Sequence, residues 1–158
     1  EKKMSNRKDK VPNWYLDVSL LNKYWGSDRV YHHTAPVNMN FGIREALRLL
    51  AEEGLEVSWN RHIKNAEELW NSLEKIGLEL QVKKELRLPT LTTVKIPDGV
   101  DGKLFTKHLL NNFGVEIGGG LGDLAGKVWR IGLMGYNSTS ANVGKIINIF
   151  ETELPKFR

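Results

Sequence analysis

The stretch Val115–Gly135, VEIGGGLGDLAGKVWRIGLMG, constrains the fold more than any other part of the chain. Four glycines in five positions let the backbone take positive φ and approach another group closely. The pattern predicts two short apolar strands joined by a glycine-rich loop. Val115–Ile117 enters, Gly118–Gly120 and Gly122 break it, and Lys127–Met134 leaves. On the exit strand Val128, Arg130, Gly132 and Met134 share one face, and Trp129, Ile131 and Leu133 the other. Arg130 is then a guanidinium among apolar neighbours, a placement seldom found unless the charge has a partner. Its planar fork suits a bidentate grip on a carboxylate or phosphate. An arginine reaching solvent or an internal acid gives the same pattern, so both readings stay open here.

The rest of the chain supplies layers for such a hairpin. Residues 1–13 read as a polar lead-in and 14–158 as one folded region. Asp17 is placed to cap a helix carrying Leu20, Leu21 and Tyr24, stopped by Gly26. After the loop Ser27–Asn40, Ile43, Ala46, Leu47, Leu50 and Ala51 form the inner stripe of a helix over Phe41–Glu53. Beyond Gly54, Trp59, Ile63, Ala66, Leu69, Trp70, Leu73 and Ile76 mark a second helix over Val57–Ile76. Leu78–Val82 and Leu91–Ile96 alternate as strands. Asp101 caps a helix to Asn112 that buries Leu104, Phe105, His108 and Leu109, and Gly114 ends it. A last helix over Ser140–Leu154 turns Val143, Ile146, Ile147, Phe150 and Leu154 inward. This order predicts an α/β (α+β) two-layer sandwich, with a mostly antiparallel sheet of about four strands and helices on one face.

Composition narrows the function classes. The 158 residues suffice for one domain with its own core. No apolar run approaches a membrane span. There is no cysteine, which excludes disulfides and thiolate chemistry. Three of the four net positive charges fall in the first ten residues. A charge confined to a tail, without interleaved aromatics, argues against a nucleic-acid surface. His32-His33 lacks the neighbours that would complete a metal shell, so no metal is expected. GGGLG matches neither the Walker pattern nor a dinucleotide GxGxxG, and no Ser-His-Asp order or HExxH appears. The residues alone leave an anion-binding arginine, a polar Tyr31-His32-His33-Thr34 loop, and no self-contained catalytic apparatus.

Several separated segments share one further pattern. Trp14-Tyr15-Leu16-Asp17, Tyr31-His32-His33-Thr34-Ala35-Pro36 and Arg44-Glu45-Ala46-Leu47 come first. Ala51-Glu52-Glu53-Gly54-Leu55-Glu56, Leu88-Pro89-Thr90, Gly119-Gly120-Leu121-Gly122 and Arg130-Ile131-Gly132-Leu133-Met134-Gly135 follow in order. Together they resemble the C-terminal part of the alanine–glyoxylate and serine–pyruvate aminotransferases, class V pyridoxal-phosphate enzymes of fold type I. The resemblance covers nearly the whole chain from Trp14.

The resemblance implies that the chain is the small domain of such an enzyme, with connecting segments. The parent would move an amino group from alanine or serine to glyoxylate or another 2-oxo acid, with the cofactor as electron sink. Arg130 would bind the substrate α-carboxylate. Tyr31 and Thr34 would donate hydrogen bonds to the pyridoxal-phosphate phosphate of the neighbouring subunit, in a site shared across a homodimer. His33 and the Gly118–Gly120 turn would sit near that site without an assigned role. The Schiff-base lysine and the aspartate for the pyridine nitrogen belong to the large domain, which is missing from the pattern, so this chain contributes no catalytic residue and alone is expected to be inactive. Its end, Pro155-Lys156-Phe157-Arg158, is unlike the SKL tripeptide of peroxisomal members, and an intracellular place is expected. The alternative from another class is a stand-alone, non-catalytic α/β module that holds a small carboxylate on Arg130.

Overall fold

The computed structural model describes residue 3 and residues 6–157. Glu1, Lys2, Met4, Ser5 and Arg158 lie outside the described residues, and with them part of the basic lead-in. The chain divides into two compact units, Glu1–Arg48 and Leu49–Arg158.

In the first unit a short 3-10 turn, Trp14–Leu16, leads into α1, Val18–Trp25. Asp17 caps α1 as its side chain dictates: extended backbone, with the carboxylate accepting from the Ser19 N–H at 2.9 Å. At Gly26 a Cβ would lie 2.6 Å from the Asn22 carbonyl oxygen, so only glycine can close this end. Arg29 then takes φ 52°, a left-handed bend ahead of Val30 and Tyr31.

Helix α2, Val37–Glu53, begins four residues before the predicted Phe41. Pro36 starts it: the ring fixes φ in the helical range, and its carbonyl accepts from the Asn40 N–H at 3.0 Å. The turn Val37–Asn40 carries no apolar stripe, which is why periodicity missed it. The expected inner face of α2 is not buried: Ile43 is 61% and Leu47 60% exposed. No buried residue occurs on this helix.

The second unit holds the core. Helix α3, Leu55–Lys75, buries Ala66, Leu69, Trp70 and Leu73, whereas Trp59 and Ile63 near its start are exposed, against expectation. Gly77 at φ 83° ends the helix. The sheet comprises β1, Leu91–Lys95; β2, Gly118–Gly119; and β3, Val128–Gly132, in the order β1-β3-β2 with both pairings antiparallel. The fourth expected strand, Leu78–Val82, shrinks to one bridge, Leu80 to Val94. Two backbone bonds, Gln81 N–H to Thr93 O and Lys95 N–H to Glu79 O, flank it before the chain bends away at residues 81 and 82.

Helices α4, Gly102–Phe113, and α5, Ser140–Glu153, join α3 on one face of the sheet. Asp101 caps α4 through the Lys103 and Leu104 N–H groups, and Gly114 closes it in the left-handed region. Phe105 and Leu109 are fully buried, but Leu104 faces outward at 56% exposure. On α5, Ile149 is buried where Ile147 was expected to be, and Ile147 only flanks the core. Trp129, Ile131 and Leu133 point into the core, as their alternation predicts. The buried Trp70 indole donates to Thr92 Oγ1 at 2.8 Å, satisfying the polar atoms on that face. The two-layer architecture follows: sheet on one side, three helices on the other.

Candidate functional site

Arg130 occupies the middle of β3, on the face turned away from the helices. Antiparallel register places Thr93 of β1 and Gly118 of β2 opposite it, so all three point to the same side. Trp129, Ile131 and Leu133 lie on the other face, and what the Arg130 guanidinium rests on is glycine. A Cβ at Gly118 would stand 3.3 Å from Nη2 and 3.5 Å from Nε of Arg130. The guanidinium lies across the bare Gly118 Cα, and its Nε–H donates to the Gly119 carbonyl at 2.7 Å.

This arrangement fixes how the arginine can bind. Nε is committed to the backbone, and among the described residues no carboxylate pairs with Arg130. Nη1 and Nη2 remain to face a ligand. A planar carboxylate meeting that edge takes two parallel N–H bonds, the geometry for which the fork is suited. Of the two alternatives to a ligand, no internal acid pairs with Arg130 among the described residues, and its side chain stands partly in solvent.

The glycines also differ from the loop expected of them. Gly118 and Gly119 are not the break but the strand β2 itself, while Val115–Ile117 stays outside the ladder. Gly120 continues the pairing, its N–H bonded to Val128 O at 2.9 Å. A Cβ at Gly120 would fall 1.9 Å from the Leu124 carbonyl oxygen, so close approach demands glycine there. Positive φ appears only later in the loop, at Gly122 and Gly126.

Tyr31 and Thr34 belong to the first unit. Their hydroxyls lie 2.9 Å apart, both exposed, on a segment that is neither helix nor strand. Between them His32 is buried, stacked on Trp14, with Nδ1 2.8 Å from Nδ1 of His33. Among the described residues no three His, Asp or Glu side chains gather as a metal shell would require. No helix of the described residues is long and apolar enough to cross a membrane.

One group of residues escaped the sequence reading. Arg61 of α3 donates to both Glu53 oxygens, to Ser138 O at 2.7 Å and to Gly135 O at 3.0 Å. His62 accepts from the Gly135 N–H at 2.8 Å while its Nδ1–H donates to Ser58 O. Asn65 adds bonds to the Ser138 and Ser140 hydroxyls. Together they clasp the turn that follows β3. The hydrogen-bonding Arg61 guanidinium holds the Glu53 carboxyl below the usual carboxylate range, and Glu53 in turn raises Arg61. The partners are more than seventy positions apart in sequence, so no local pattern announces them.

Comparison with known proteins adds the remaining observation. No family model matches the chain. The alanine–glyoxylate aminotransferase of Callithrix jacchus is 50% identical over 145 residues, covering 89% of this chain and 35% of that protein. The (S)-ureidoglycine–glyoxylate transaminase of Bacillus subtilis is 42% identical over 129 residues, covering 82% and 31%. Among solved structures, the Nostoc alanine–glyoxylate aminotransferase superposes with a TM-score of 0.89 at 61% identity, covering 97% of this chain and 41% of that one. The chain is similar to a C-terminal fragment of a class V aminotransferase. It spans between about a third and two fifths of the length of these relatives.

Proposed function

We propose that the chain is the C-terminal, small-domain part of a pyridoxal-phosphate-dependent aminotransferase, residues 1–13 being its lead-in and 14–158 its folded region. Such an enzyme transfers an amino group from alanine or serine to glyoxylate or another 2-oxo acid. The observation that carries the reading is Arg130, seated on Gly118, tied by Nε to Gly119 O, with both Nη groups left for a carboxylate. Every amino acid and 2-oxo acid of the reaction bears that carboxylate.

The residues present fit the cofactor's phosphate at one point. The Tyr31 and Thr34 hydroxyls lie 2.9 Å apart and hydrogen-bond each other; turned outward, both O–H groups can donate to one phosphate group. Bound there, pyridoxal phosphate supplies the electron sink that stabilises negative charge at the substrate α-carbon. In this reading Tyr31 and Thr34 hold the phosphate of a neighbouring subunit in a homodimer. Arg130 orients the substrate by its carboxylate, which sets where the α-proton and the amino group lie. Orientation of this kind accounts for a large part of such rate enhancements. None of these residues would carry the cofactor as a Schiff base; in this reading that lysine belongs to the rest of the enzyme.

The test is amino transfer from alanine to glyoxylate by the full-length polypeptide containing this chain, beside the 158-residue chain alone. Turnover that needs pyridoxal phosphate in the first and none in the second supports the proposal. Turnover by the chain alone, or binding of small carboxylates by a native protein of 18.0 kDa without any turnover, contradicts it. The second outcome would make the chain a carboxylate-binding module.

A further inference from the structure

Among the described residues of the first unit one side chain is buried, and it is a histidine: His32, 7% exposed. A unit without an apolar core must organise itself around something else. His32 stacks on the Trp14 indole with ring centroids 4.3 Å apart and planes 14° from parallel. Trp14 O can only accept, so His32 Nε2 carries a proton and donates to it at 3.2 Å. At Nδ1, His32 meets Nδ1 of His33 at 2.8 Å, which requires one proton between the two rings.

Both ring nitrogens are therefore spent within the chain, and His32 has no donor or acceptor left for a ligand. Its neighbours are the ones that face outward. Tyr31, just before it, is 70% exposed, and Thr34, two residues after it, is exposed as well. No helical or strand bonds hold this segment. The contacts that hold it are the two bonds of His32, the Tyr31–Thr34 hydroxyl bond, and ring packing on Tyr15, 5.0 Å from His33, and on Tyr24, whose ring meets Tyr31 edge-on at 6.0 Å and His33 at 5.5 Å.

We infer that His32 is a positioning residue for phosphate binding: anchored to Trp14 and His33, it fixes the spacing of the Tyr31 and Thr34 hydroxyls on which the cofactor's phosphate rests. The inference rests on the proposed phosphate role of that pair. It goes beyond it by assigning the anchor, and it predicts an effect confined to the phosphate group.

The experiment measures the dissociation constants of pyridoxal phosphate and of pyridoxal, which lacks the phosphate, in the full-length enzyme. His32→Phe keeps the ring on Trp14 and removes both hydrogen bonds. It is expected to weaken pyridoxal phosphate about tenfold while leaving pyridoxal nearly unchanged. His32→Gln restores a donor near Trp14 O and should bring the ratio of the two constants back to within about threefold of the native value. Equal weakening of both ligands by His32→Phe, or an unchanged ratio, overturns the inference. Should His32→Phe not fold, His33→Ala carries the test, since it removes the Nδ1 partner and the His33 ring packing while leaving His32 stacked on Trp14 and bonded to Trp14 O. A ratio shifted by less than about threefold in that variant overturns the inference too. Tyr31→Phe and Thr34→Val separate the two levels of argument. If neither alters the ratio, the phosphate reading itself fails; if they do and His32→Phe does not, only the anchoring role fails.

Discussion

Gly118 lies directly across the ladder from Arg130, and its missing side chain is the seat of the guanidinium. The three consecutive glycines of β2 and its extension thus play three different parts. Gly118 leaves room for a cation, Gly119 supplies a carbonyl acceptor with open space beyond its Cα, and Gly120 approaches a backbone oxygen.

Alanine at each position should separate these reasons. Gly118→Ala should shift the guanidinium by a few tenths of an ångström and raise KM for the amino acid by about three- to tenfold, with the fold retained. Gly119→Ala should change neither KM nor Tm appreciably, because nothing lies within 4 Å of the added carbon. Gly120→Ala should destabilise the protein or prevent its folding, since Leu124 O would be 1.9 Å away. Thermal unfolding and steady-state kinetics on the three variants check the pattern.

Phe105 is the centre of the second unit's core, with ring centroids 5.1 Å from Trp129, 5.2 Å from Phe150 and 5.3 Å from Phe157. Truncation to alanine leaves a cavity among three aromatic rings that packing cannot close. Denaturant unfolding should show Phe105→Ala less stable by about 3–5 kcal/mol.

Glu153 joins α5 to α4, its carboxylate accepting from Lys156 at 2.7 Å and from His108 Nε2 at 2.9 Å. The Lys156 and then the His108 hydrogen bonds hold its carboxyl below the usual carboxylate range. A carboxylate lowered in the folded state adds stability above its unfolded value, and that stability fades as pH falls through the folded one. Glu153→Gln should therefore flatten the acid limb of the stability–pH curve and leave its neutral-to-alkaline slope unchanged. Urea midpoints measured across the acid range read this directly.

The order of elements and the layers were legible because their signals are local. Asp17 and Asp101 cap the helices that they precede, Gly114 closes one, and alternation along β3 puts Trp129, Ile131 and Leu133 inward. What periodicity cannot tell is whether an apolar stripe meets a partner. Ile43, Leu47, Trp59 and Ile63 are patterned for burial and remain exposed. The fourth strand was overread for a similar reason, since alternation at Leu78–Val82 says nothing of the bend that ends its pairing.

At the site, Arg130 was found by a local oddity, a charge within an apolar alternation. Its true surroundings were not, because they depend on which strand pairs with β3. The Arg61–Glu53 and His62–Gly135 clasp left no trace in the sequence at all. Its bonds to Gly135 and Ser138 cross more than seventy residues, and each partner alone is an ordinary helix or turn residue.

The account turns on Arg130 gripping a carboxylate. The most direct measurement compares, in the full-length enzyme, kcat/KM for an amino acid with that for the corresponding amine lacking the carboxyl group, before and after Arg130→Lys. Lysine keeps the charge but cannot offer the two parallel donors. The account predicts a fall of roughly 100-fold or more for the amino acid and little change for the amine, so that the preference between them collapses. An equal fall for both substrates, or none for either, would contradict it.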